Sequence, residues 1–107
     1  MTVDEFAIAL RGQGLEFISG GAYHNQLGRA GYRATYRHSG RYYWYSVSGT
    51  EISFAPDEVA AALTSPRRRV EREYPYRNSG GQQSFEATVR SGDHSFMLGV
   101  GPEPPRR

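Results

Sequence analysis

The sequence contains no cysteine and no lysine. Without cysteine there is no disulfide framework, no thiolate metal site and no cysteine nucleophile. No apolar run approaches the roughly 18 residues that would span a membrane. The first residues, Met1-Thr2-Val3-Asp4-Glu5, are acidic, unlike the basic start of a secretory signal. The expectation is a soluble, cytoplasmic domain with no membrane partner. Aliphatic and phenylalanine side chains are scarce as well: Val, Ile, Leu and Phe total 19 of 107 residues. Eight tyrosines and one tryptophan make up part of the deficit, so tyrosine must supply much of the core.

The basic charge is all arginine, 13 residues against 11 acids, for a formal charge of +2. That excess is too small for a strong polyelectrolyte ligand. Arginine still offers a planar fork for phosphate, carboxylate and aromatic faces.

Thr2-Val3-Asp4-Glu5 fits a capping box, and Val3, Phe6, Ala7 and Leu10 follow at helical spacing. A helix is expected over residues 3–11, ended by Gly12 and Gly14. Leu15 to Ile18 reads as a short strand, and Ser19 to Gly31, with four glycines, as an irregular loop. Two alternating runs, Gly31 to His38 and Arg41 to Val47, flank Ser39-Gly40. Ser48-Gly49 then precedes Thr50 to Phe54, which suggests a three-stranded meander. Pro56-Asp57-Glu58 opens a second helix that Ser65-Pro66 stops. Strands are expected over Arg69 to Arg77, Ser84 to Arg90 and Ser95 to Val100. Residues 1–100 would form one domain, and 101–107, with three prolines, a disordered tail.

The expected fold class is a small α+β domain, two short helices on antiparallel sheet, in the order α-β(β)ββ-α-βββ. Tyr36-Arg37-His38-Ser39-Gly40 echoes Tyr76-Arg77-Asn78-Ser79-Gly80. The echo suggests a duplicated helix-plus-meander unit, or chance recurrence of a Ser-Gly turn.

Alternation separates two faces of the meander. Tyr32, Ala34, Tyr36, Tyr43, Tyr45, Val47, Ile52 and Phe54 should pack on the helices. Arg33, Thr35, Arg37, Tyr42, Trp44, Ser46, Glu51 and Ser53 should form the opposite face. Arginine, tyrosine and tryptophan are the types enriched at binding hot spots. They also stack on bases and contact phosphates in single-stranded nucleic acid. The plain alternative is a solvated face whose arginines rest on its own aromatics.

Arg67-Arg68-Arg69 is the densest basic run within the expected domain, with Glu71 and Glu73 close by to dilute its field. The partner-binding candidates are therefore Arg33, Arg37, Tyr42, Trp44, Arg67, Arg68 and Arg69. His24, His38 and His94 have no partners at ligand spacing, so no metal and no cofactor is expected. The glycine pairs lack the pattern of a phosphate loop.

The length, the absence of cysteine and the lack of a catalytic motif resemble, in type only, small accessory proteins of phages and mobile elements, including anti-defence inhibitors. A non-enzymatic protein that binds a protein partner fits best. Direct binding of single-stranded nucleic acid or RNA is second, and a small metal-independent RNase-like toxin third. The polar face could equally serve as a homodimer contact.

Overall fold

In the computed structural model, residues 1–49, 52–77, 80–81 and 83–101 are described. Two helices, α1 (Val3–Arg11) and α2 (Pro56–Leu63), accompany six strands: β1 (Glu16–His24), β2 (Ala30–His38), β3 (Arg41–Ser48), β4 (Arg69–Arg77), β5 (Gln83–Ser91) and β6 (His94–Gly101). All strands join one antiparallel sheet in the order β1-β2-β3-β6-β5-β4. The order α-βββ-α-βββ agrees with the α+β expectation.

Both helices pack on one face. Val3, Phe6, Ala7 and Leu10 of α1 and Val59, Ala60 and Leu63 of α2 are buried there. They meet Ala34, Tyr36, Tyr43, Tyr45 and Val47 from the first half of the sheet. Phe85, Ala87, Val89, Phe96, Leu98 and Val100 complete the core from the second half. Each buried apolar strand residue sits at the same alternation phase, so the helices cover one face, and no described helix or strand covers the other.

The palindromic strand order reflects an internal repeat. β1 and β4 differ by 53 residues at both bounds (69 − 16 and 77 − 24). The same offset carries the start of α1 onto the start of α2 and β3 onto β6 without a gap. It superposes Asp4-Glu5 on Asp57-Glu58, Ala7-Ile8-Ala9-Leu10 on Ala60-Ala61-Ala62-Leu63, and Ala34-Thr35-Tyr36-Arg37 on Ala87-Thr88-Val89-Arg90. Irregularities in register also recur, between Phe17 and Ser19 and between Val70 and Arg72. The expected echo of Tyr36–Gly40 with Tyr76–Gly80 is out of phase. It equates the β2–β3 turn with the β4–β5 connection, whereas the true counterpart of Ser39-Gly40 is Gly92-Asp93.

Three local expectations need correction. Ser19 to His24 is strand, not loop. Gly20 belongs there because a Cβ would lie 2.7 Å from the Arg33 carbonyl oxygen of the neighbouring strand. Ile52, Ser53 and Phe54 form no strand, and Ile52 is exposed rather than buried. Thr50 and Glu51 lie outside the described residues, so the meander is β1-β2-β3. Consequently Tyr45 opposes Leu98 and Tyr43 opposes Val100, not Ile52 and Phe54. Phe54 instead reaches the core from a loop, accepting a hydrogen bond through its carbonyl from the Tyr45 hydroxyl at 2.9 Å. Gly101 closes β6, and residues 102–107 of the expected tail lie outside the described residues.

Candidate binding face

The uncovered face collects side chains from all six strands. The register sets Tyr74, Glu86, Gly99, Trp44, Thr35 and Ser19 in one row across the sheet. A second row runs Arg72, Thr88, Met97, Ser46, Arg33 and Gly21. Arg33, Arg37, Tyr42 and Trp44 therefore do share one face, as their alternation requires.

Trp44 sits near the centre, on β3. Its cross-strand partner is Gly99, and a Cβ there would fall 2.1 Å from the indole Cε2 and 2.2 Å from Nε1. The indole thus lies down on the glycine of β6. It is half-buried over the sheet midline. Tyr23 plays a parallel part near the edge. Its ring would meet a Cβ on Gly31 at 2.9 Å, and the Arg33 guanidinium sits 4.0 Å above the ring centroid.

Arg33 and Arg37 of the first repeat are engaged within the protein. Arg37 donates to Glu16 at 2.8 and 3.3 Å. That carboxylate, followed by the Tyr42 hydroxyl, holds the guanidinium more firmly protonated than usual. Such exposed contacts add little to stability but fix side-chain direction.

The run 67–69 is dispersed by the fold. Arg67 is exposed in the turn after α2. Arg68 turns toward the helices, where it pairs with Asp4 and donates to the Leu63 carbonyl at the end of α2. It ties one repeat to the other. Arg69 alone reaches the open face, opposite Arg90 on β5.

Several side chains on this face were missed in the sequence. Tyr74 and Tyr76, 38% and 40% exposed, form a tilted ring pair at 6.2 Å. The Tyr74 hydroxyl donates to Glu86 at 2.7 Å, which pushes its pKa up. Met97, 51% exposed, occupies the repeat position of Trp44. Aligning the sequence with itself at the 53-residue offset would have placed all three.

No protein-family model, curated protein or solved structure matches this chain. Among the described residues, no group of three His, Cys, Asp or Glu side chains is placed to hold a metal ion. His24 ends β1 and His38 ends β2, while His94 begins β6 and packs against the Phe54 ring at 5.3 Å. The fold does not gather them into an acid–base centre. No described helix is long and apolar enough to cross a membrane.

The first turns of the helices carry Asp4, Glu5, Asp57 and Glu58. The open sheet face carries Arg33, Arg37, Arg69, Arg72 and Arg90 against Glu16 and Glu86, with Glu71 reaching Arg90 from the irregular point of β4.

Proposed function

We propose that this protein is a non-enzymatic binding protein, an inhibitor or accessory factor, that docks a protein partner on its open sheet face. The observation that carries this reading is the indole of Trp44 laid across Gly99 at the middle of an uncovered six-stranded face. Around it stand Tyr42, Tyr74, Tyr76, Met97 and arginine. A flat aromatic centre with a polar, arginine-bearing rim is the composition of a protein-binding hot spot. Intramolecular partners already hold Arg33 and Arg37, so both present shaped surfaces rather than free cations. Around Trp44 that favours a protein partner over a phosphate backbone, and with 13 arginines against 11 acids the chain as a whole has little net charge to displace counterions.

The test uses the single tryptophan. Trp44 emission is followed while single-stranded DNA and RNA oligonucleotides are added at low and high salt. In parallel, host proteins retained by the immobilised chain are identified, purified and rebound to it and to a Trp44→Ala/Arg37→Ala variant. The expected result is no emission change with oligonucleotide, and a purified partner that binds the wild type and not the folded variant. A salt-dependent emission change would instead support nucleic-acid binding and overturn the protein reading. Partner binding that survives in the double variant would remove this face as the site.

A further inference from the structure

The two repeats provide an internal comparison at one corner of the open face. In the first, Glu16 stands opposite Arg37 and accepts from it at 2.8 Å. The equivalent residues of the second are Arg69 and Arg90, again directly opposite. One member of the pair has reversed its charge. Like charges facing each other across a ladder destabilise a sheet. Arg72 follows on the same face, level with Thr88. Arg90 has one carboxylate contact, a single bond from Nε to Glu71 at 3.3 Å, made from the irregular point of β4. Arg69 and Arg72 have no hydrogen bond or ion pair from their side chains to any described residue. The closed ion pair of the first repeat is thus replaced by a longer Arg90–Glu71 contact and two exposed guanidiniums, Arg69 and Arg72.

We propose that Arg69, Arg90 and Arg72 form a docking site for an acidic, carboxylate-rich segment of the partner protein, present in the second repeat alone. The proposal rests on the reading of the open face as a protein-docking surface, and names the chemistry the partner brings to it. Guanidinium forks match carboxylates two-on-two. An extended peptide sets alternate side chains about 6.8 Å apart on one face, and neutral residues intervene. That discontinuous charge suits a corner where Glu71 and Glu86 lie beside the arginines. A continuous phosphodiester chain would run against both carboxylates. Tyr74 and Tyr76, further along β4, extend the stripe with apolar area for the residues between the acids.

The test compares affinities of a fluorescein-labelled alternating Glu-Ser peptide by anisotropy at low salt. The chains compared are the wild type, Arg69→Glu and Arg41→Glu, the last at the far end of the sheet on the β2–β3 turn. Arg69→Glu restores the first-repeat pattern, so it should fold with an unchanged or higher Tm. Its affinity should fall about tenfold or more, as expected when an interfacial charge is reversed, while Arg41→Glu changes little. Equal losses in both variants would mean general charge attraction and overturn the site. So would full affinity in Arg69→Glu, no peptide binding by the wild type, or tighter binding of an oligothymidylate of equal charge. Should Arg69→Glu fail to fold, Arg72→Gln carries the same comparison. A folded Arg69→Glu that loses the peptide but keeps the native partner sinks this inference alone; the Trp44→Ala/Arg37→Ala result judges the face itself.

Discussion

Tyr45 and Leu98 stand directly opposite each other on the two central strands, and they are also the same position of the two repeats. The pseudo-two-fold axis of the molecule therefore passes between them. Tyrosine fills one side of the axis and leucine the other, which leaves the larger side chain with a hydroxyl to satisfy. It does so on the Phe54 carbonyl, at the start of the second repeat.

Removing that hydroxyl should be measurable. Tyr45→Phe leaves the Phe54 carbonyl unpaired, at a cost of about 1–2 kcal/mol by urea denaturation at neutral pH. Burial, and then the neighbouring Tyr36 hydroxyl, push the Tyr45 phenol far above its ordinary value of 10. The unfolded chain ionises there first, so the stability Tyr45 contributes is full below pH 10 and declines above it. The decline should be shallower in Tyr45→Phe. An equal slope in both proteins would show that Tyr45 is not the group responsible.

Gly99→Ala should dislodge Trp44. A methyl group at that position overlaps the indole. Overpacking of this kind costs about 1–3 kcal/mol. The expected signature is a lower Tm with red-shifted, more readily quenched Trp44 emission. Unchanged emission would mean that the indole does not rest on Gly99.

The helix caps differ between repeats. Thr2 accepts from the Glu5 amide while Glu5 reaches back to the Thr2 amide. In the second repeat Glu58 reaches back to the Ala55 amide, but the methyl side chain of alanine has no oxygen to return the bond. Ala55→Thr should complete the box and raise stability by about 1 kcal/mol. The measurement is the urea midpoint; no increase would show that α2 does not profit from a second cap.

Asp4 links stability to acid. Its hydrogen bond from Arg68 draws its pKa below the ordinary 3.8. A carboxylate depressed in the folded state contributes stability above its unfolded pKa, and that contribution is lost as pH falls through the folded value. Asp4→Asn should therefore be less stable than wild type at pH 7, and the difference should shrink below pH 4. A difference constant over pH 2–7 would rule out this pairing as its source.

Much of the local structure could be read from residue order. The Thr2–Glu5 cap and the spacing of Val3, Phe6 and Leu10 give the first helix its observed bounds. Alternation from Arg33 to Trp44 separates the two sheet faces correctly, because side-chain direction in a strand is a local property with period two. The misses are of two kinds. Gly20 and Gly21 looked like loop residues, since glycine's tolerance of turns hides its other use, close approach of neighbouring backbone. The Thr50–Phe54 segment looked like the neighbour of β3 because it follows in the chain.

What the sequence determined by itself was therefore each element's type, its two faces and the placement of Arg33, Arg37, Tyr42 and Trp44 together. The tertiary structure decided which strands are neighbours. Residues on β3 and β6 about 50 positions apart in sequence meet because pairing there buries Tyr45, Val47, Phe96 and Leu98 under both helices, and no local pattern records that gain. The same pairing sets Trp44 on Gly99, sends Arg68 to Asp4 and leaves Arg69 facing Arg90. Those placements depend on the distant chain that supplies each partner, and they make the open face what it is.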